Sequence, residues 1–162
     1  MTATPEDLLA RLEALGADIK TYHHPPVFTV EESKALRGDL PGTHCKCLLL
    51  KDKKNVLWLV VTTEDRRTDM KDLRHRIGAA TLSFAKPEVL RQTLGVEPGS
   101  VTPFALINDS EHRVNVVLDE DMLTRTLLNF HPLTNTATTS IGTRHLLEFI
   151  ESCGHQPRIV GL

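Results

Sequence analysis

Aromatic side chains are scarce in this chain: 162 residues include one Trp, one Tyr and five Phe. Aliphatic packing must therefore supply most of the core. Cysteine is also sparse, and Cys45, Cys47 and Cys153 form an odd set. A Cys-x-Cys pair on an extended chain makes a poor disulfide, so a secreted cystine scaffold is excluded and reduced thiols are expected. No apolar run approaches the roughly 20 residues needed to cross a bilayer. The opening residues Met1-Thr2-Ala3-Thr4-Pro5-Glu6 lack the basic-then-apolar profile of a signal peptide, so a cytoplasmic location and no membrane partner are expected. Neither sign of charge dominates, with 19 basic and 21 acidic residues and a formal net charge of -2. That balance excludes a uniformly basic nucleic-acid-coating surface and confines any RNA contact to a local patch. The chain has no Walker loop, no Gly-x-Gly-x-x-Gly, no His-Glu-x-x-His and no Gly-x-Ser-x-Gly. Nucleotide hydrolysis, zinc proteolysis and lipase-like acyl transfer therefore have no basis in the sequence.

What is present suits a globular domain: 40% hydrophobic and 25% charged residues. At this length a chain buries roughly two thirds of its unfolded surface, and one domain over 1–162 is the expectation. Thr4, Pro5 and the stripe Leu8, Leu9, Leu12, Leu15 predict a first helix ending at Gly16. His24-Pro25-Pro26 reads as an extended linker. Thr29 and Glu32 form a capping pattern for a short helix through Leu36, stopping near Gly38. Cys45–Lys51 and Val56–Thr62 are strand-like, joined by the turn Asp52-Lys53-Lys54-Asn55. Thr68–Ile77 predicts a helix before Gly78. A strand at 81–84 precedes a helix with Pro87 in its first turn and Gly95 past its end. Phe104–Asn108 and Val114–Leu118 read as a second hairpin, followed by a short helix at 121–124. Strands at Leu127–Phe130 and Thr138–Ile141 and a helix over 143–153, stopped by Gly154, complete the chain. This irregular interleaving predicts an α+β fold: a mixed, largely antiparallel, barrel-like sheet with peripheral helices.

Lys46 is the chief oddity, a lysine inside the apolar strand Cys45-Lys46-Cys47-Leu48-Leu49-Leu50. It is read either as an edge or snorkelling side chain or as an anion-binding ammonium at a pocket mouth. His44, Cys45 and Cys47 diverge along a strand, with no second ligand cluster to complete a tetrahedral shell, so no metal is expected. Gly99-Ser100-Val101-Thr102-Pro103-Phe104 is a loop running into a strand. It is either a plain turn or a source of backbone N–H groups for developing negative charge. His131-Pro132-Leu133-Thr134-Asn135-Thr136-Ala137-Thr138-Thr139 is densely polar and suits either a capped turn or the orientation of water or a ribose. Lys51, Lys53, Lys54, Arg66, Arg67, Arg74 and Arg76 follow the central strands. They are candidates for phosphate contacts, or simply a solvated face where acidic residues are interspersed.

Together these segments resemble the YbaK/ProX family, free-standing relatives of the editing domain inserted in bacterial prolyl-tRNA synthetases. The likeness rests on His24-Pro25-Pro26-Val27-Phe28-Thr29-Val30-Glu31-Glu32, the Lys46 strand, Gly99 to Phe104, and Phe130 to Thr139. The last motif is similar to that of the ProX branch, the Ala-tRNA(Pro) deacylases. The resemblance implies hydrolysis of the ester joining a mischarged alanine to the terminal adenosine of tRNA(Pro). It implies that Lys46 holds the terminal phosphate or ribose region, that the Gly99–Pro103 loop lies beside the scissile ester, and that His131 is a further site residue. Val27, Phe28, Thr29, Leu48, Ser100, Val101, Thr102, Pro103 and Asn135 are the implied substrate-binding residues. The implied partners are tRNA(Pro) carrying alanine, prolyl-tRNA synthetase and elongation factor Tu, with no DNA and no cofactor. An aminoacyl ester is already activated, so positioned water and backbone donors suffice without a protein nucleophile. A synthetase pocket built for proline cannot strongly exclude alanine, which makes a second, smaller pocket useful. Lys46 is followed by a cysteine where many relatives carry asparagine, which bears on affinity and substrate choice. A YbaK-like Cys-tRNA(Pro) deacylase and a non-catalytic tRNA- or synthetase-binding module are the alternatives.

Overall fold

Among the described residues, two of the helices form where a capping side chain meets an apolar stripe, and a third begins on a proline. In a computed structural model that describes residues 2–26 and 40–162, α1 spans Pro5–Ala14. The Thr4 hydroxyl accepts from the Asp7 N–H while the Asp7 carboxylate accepts from the Thr4 N–H, a closed capping box. The helix buries Leu8 and Leu12. α2 (Met70–Ile77) is capped by the Asp69 carboxylate and buries Leu73 and Ile77. α3 (Pro87–Leu94) begins on proline and buries Leu90 and Leu94. α4 (Thr143–Ser152) buries Leu146, Phe149 and Ile150. Among the described residues no helix is long and apolar enough to cross a membrane.

Among the described residues, eight strands form one mixed sheet: β1 (Ile19–His23), β2 (Thr43–Asp52), β3 (Leu57–Thr63), β4 (Leu82–Phe84), β5 (Val114–Asp119), β6 (Leu127–Phe130), β7 (Ala137–Gly142) and β8 (Arg158–Val160). Their order is β1-β7-β6-β2-β3-β5-β8, with β4 pairing β2 off this path. Four pairings are antiparallel (β1 with β7, β7 with β6, β2 with β3, β2 with β4). Three are parallel (β2 with β6, β3 with β5, β5 with β8). Both faces of the centre are covered. Leu49, Leu59, Val61 and Leu118 pack with α1, α3 and α4 on one side. Leu50, Trp58, Val60 and Val117 pack with α2 on the other. Coverage on both faces explains why β3 reads Leu-Trp-Leu-Val-Val with no polar alternation.

Two expectations are corrected. Phe104–Asn108 is not a strand: Pro103–Asn108 is a 3-10 helix whose first turn is capped by the Thr102 hydroxyl accepting from the Phe104 N–H. A short apolar run carries no periodicity that separates a strand from a buried helical turn, and Thr102-Pro103 is the start signal that decides it. Asp109–Arg113 consequently makes no hairpin. The Asp109 carboxylate accepts from the Arg113 and Val114 N–H groups, and β5 then enters parallel to β3. The short strands β1 and β8 have no counterpart in the sequence reading. The helix expected over 29–38 lies outside the described residues, as do Val27, Phe28 and Thr29.

Candidate active site

The site is built on an interruption in the sheet. β2 pairs with β3 from Cys45 to Lys51, whereas its other edge is shared. β6 pairs there only at Thr43 and His44, and β4 pairs from Leu50 to Asp52. The carbonyl of His44 accepts from the Glu64 N–H and the Asp52 N–H donates to Val56, so even-numbered residues of β2 bond toward β3. Odd-numbered residues turn their N–H and C=O the other way, as the Ala85 N–H to Leu49 carbonyl bond shows. Cys47 lies in the stretch that has no neighbouring strand on this side among the described residues. Among the described residues, neither its N–H nor its C=O has a partner.

Two cavities open on this stretch and share Cys47 and Val101. The smaller, about 50 Å³, is lined by His44, Cys45 and Cys47 from β2, Glu64, Val101, Asn129 and Phe130 from β6, His131, and Thr138 from β7. The larger, about 270 Å³, is an apolar groove with Leu48, Leu49, Phe84, Ala85, Pro87, Leu90 and Pro98. Phe84 is 65% exposed at its rim.

Hydrogen bonds fix the polar groups of the smaller cleft. His131 Nδ1 lies 3.0 Å from the Ala137 carbonyl, which can only accept. The proton is therefore on Nδ1 in the neutral ring, and Nε2 is an acceptor. Burial, above all, lowers the His131 pKa; the Ala137 bond opposes that shift and His24 reinforces it. By the same logic His24 donates from Nδ1 to the Pro25 carbonyl, and its Nε2 accepts from the Thr138 hydroxyl at 2.9 Å. The two imidazoles meet edge to face at 6.3 Å. Asn129 donates to the Pro41 carbonyl and accepts from the Ser140 hydroxyl. Gly42, at φ 98°, lets the chain pass close: a Cβ there would sit 2.7 Å from Asn129 Oδ1. Burial pushes the Cys45 thiol up to about 12 and raises Cys47 well above the ordinary range, so both stay protonated at neutral pH.

The structure brings together some of the residues expected from sequence and separates others. His131, Val101 and Leu48 border the two cavities. Lys46 lines neither. It alternates with Cys45 and Cys47 to the opposite face, opposite Thr62 of β3, and burial lowers the pKa of its ammonium. Gly99 and Ser100 sit in a 3-10 turn (Pro98–Ser100), and Thr102 and Pro103 are buried at the start of the next one. Asn135 is half-buried in the β6–β7 connection. Lys51 lies five residues beyond Lys46, about 17 Å along the strand, and Lys53 and Lys54 are exposed at the hairpin tip. Arg66 pairs with Asp119 and Asp121 and donates to the Leu162 carbonyl. Arg74 donates to the Ala79 carbonyl, and Arg76 pairs with Asp72 and donates to Gly161. Arg67 is exposed. Sequence reasoning did not single out Glu64 or Asn129, named Phe130 and His24 only within the motifs of the resemblance, with His24 also read as linker, and weighed His44 only as a metal ligand. What signals there were lay in a histidine preceding Pro-Pro and an asparagine within an apolar strand.

A family model described as an aminoacyl-tRNA editing domain matches residues 24–149. A zebrafish (Danio rerio) protein called prolyl-tRNA synthetase associated domain-containing protein 1 is 39% identical, over 96% of this chain and 88% of its own. The prolyl-tRNA editing protein ProX of Acetoanaerobium sticklandii is 31% identical, over 96% of this chain and 95% of its own. Among solved structures, one of a protein proposed as a trans-editing enzyme for prolyl tRNA synthetase superposes with a TM-score of 0.71 at 22% identity. It covers 100% of this chain and 99% of that one, a likeness of fold.

Proposed function

The chain belongs to the aminoacyl-tRNA editing domain family, of YbaK/ProX type, and from that premise we propose that it is a trans-editing hydrolase that removes alanine from mischarged tRNA(Pro). The observation that carries this reading is the free Nε2 acceptor of His131 in a cleft bounded by Val101 and Cys47. A neutral imidazole with its tautomer fixed can take a proton from a water that adds to the ester carbonyl carbon. The resulting oxyanion is held by main-chain donors. Collapse breaks the bond to the ribose oxygen, which leaves with the proton returned by His131, giving free alanine and uncharged tRNA. Neither Cys45 nor Cys47 serves as nucleophile in this scheme, because both thiols are held protonated.

Lys46, on the other face of the same strand, is assigned to the terminal phosphate or ribose. Its half-buried ammonium makes no hydrogen bond or ion pair among the described residues, so its charge is available to a ligand. Lys53 and Lys54 at the hairpin tip, with Arg67, are the basic residues best placed for more distant tRNA phosphates. Arg66, Arg74 and Arg76 are already engaged within the protein. The name of the zebrafish relative supports prolyl-tRNA synthetase as the enzyme whose errors are corrected.

The test is hydrolysis of Ala-tRNA(Pro), Pro-tRNA(Pro) and Cys-tRNA(Pro) by wild type and Lys46→Ala. Release of alanine alone, lost on substitution, supports the proposal. Preferential release of cysteine moves the substrate to the other branch of the family, and binding without turnover leaves a non-catalytic tRNA module.

A further inference from the structure

The gap in the edge of β2 has the dimensions and chemistry of a docking site for one amino-acid residue. An unpaired strand edge is a template for main-chain pairing. Here the template is closed at both ends: β6 occupies it up to His44, and the Ala85 bond to Leu49 closes the other side. The distance from His44 to Leu49 is about 17 Å of strand, and within it Lys46 and Leu48 bond to β3. The rung at Cys47 is thus flanked by backbone that is already paired. A polypeptide strand does not fit so short an opening, whereas a single aminoacyl group does.

We propose that the aminoacyl end of the substrate docks as a one-residue strand antiparallel to β2. Its α-ammonium donates to the Cys47 carbonyl, and its ester carbonyl oxygen accepts from the Cys47 N–H. This is the two-bond exchange of a hydrogen-bonded antiparallel pair, and it rests on the editing reading above. Residues paired in this way project their side chains to the same face. The substrate side chain therefore lies beside the Cys47 side chain, on the face where Cys47 packs with the core that includes Val101. The Cys47 N–H meets the oxygen on which charge develops as water adds, so the bond strengthens toward the transition state. Because the contacts are main-chain, the identity of residue 47 can drift while the recognition persists.

The test replaces one amide by an ester. Lactic acid incorporated at position 47 deletes the N–H and is compared with its amide counterpart, Cys47→Ala. A fall of thirtyfold or more in kcat/KM for Ala-tRNA(Pro), with melting temperature changed by only a few degrees, is expected. A change of less than threefold overturns the proposal. If neither protein nor the wild type hydrolyses the ester, the editing reading fails separately, and the rung is then read from binding of tRNA(Pro) ending in 3′-alanylamido-3′-deoxyadenosine. Tenfold weaker binding by the ester variant supports it, and unchanged binding overturns it. If the ester variant does not fold, hydrogen exchange on the wild type decides. The Cys47 amide should exchange at least tenfold faster than those of Lys46 and Leu48, and the same analogue should slow it at least tenfold. An amide already protected in the free protein, or unaffected by the analogue, rules the docking out.

Discussion

The Nδ1 proton of His131 is committed to the Ala137 carbonyl at 3.0 Å, which leaves Nε2 as the ring's one free acceptor in the cleft. The bond also ties the first residue after β6 to the first residue of β7. The imidazole is thereby held by a short loop closed on itself, not by a distant partner.

Burial holds the His131 pKa below the ordinary 6.5, with the Ala137 bond opposing and His24 adding to the shift. The neutral form that can act as base therefore persists below pH 6.5. The acid limb of a kcat/KM profile for deacylation should have its midpoint under pH 6.5, and His131→Ala should remove that limb and lower the rate by about 10²–10⁴-fold. A wild-type midpoint above 6.5, or a His131→Ala profile with the limb intact, would take His131 out of the chemistry.

A Cys45 thiol at about 12 is ionised to only about one part in ten thousand at pH 8. Alkylation of Cys45 and Cys47 by iodoacetamide at that pH, followed by mass spectrometry, should run at least tenfold slower than for free cysteine. Reaction at the free-cysteine rate would reopen the case for a thiol nucleophile.

Asp52 holds the β2–β3 turn by accepting from the N–H groups of Lys54, Val56 and Ala80 and from Trp58 Nε1. Burial pushes its pKa up, but these donors outweigh that and hold it below 3.8. The stabilisation is present above pH 3.8 and is lost as pH falls through the folded-state value. Asp52→Ala should cost about 2–4 kcal/mol in urea unfolding at pH 7, and the difference from wild type should shrink at pH 3. Equal stability of the two proteins at pH 7 would contradict this account of the turn.

Gly42→Ala should destabilise by about 1–3 kcal/mol, since φ 98° strains any other residue and the new Cβ would press on Asn129. Thermal denaturation measures the cost. A loss of deacylation exceeding what unfolding explains is expected as well, because Asn129 lines the cleft.

How much was legible follows from where each signal resides. The helix start at Thr4-Pro5, the proline-started helix at Pro87 and the β2–β3 hairpin are local patterns with local causes, and the structure bears them out. The stretch at Phe104 defeated the reading because burial makes any short element apolar, whatever its backbone. β1 and β8 escaped because an edge strand is defined by its neighbour: Ile19–His23 becomes a strand by pairing with Ala137–Ile141, more than a hundred residues away.

The sequence by itself determined the family, the elements with strong start and stop signals, and His131 as a residue of chemical interest, since each depends on residue types at short spacing. The tertiary structure alone decided that, among the described residues, the edge of β2 beside Cys47 is left open. It also decided that Val101 borders both cavities there, and that Arg66, Arg74 and Arg76 are engaged within the fold. The reason is that a gap in a sheet belongs to no strand. It exists only because β6 stops pairing after His44 and β4 begins at Leu50, and no local run of residues encodes the space between them.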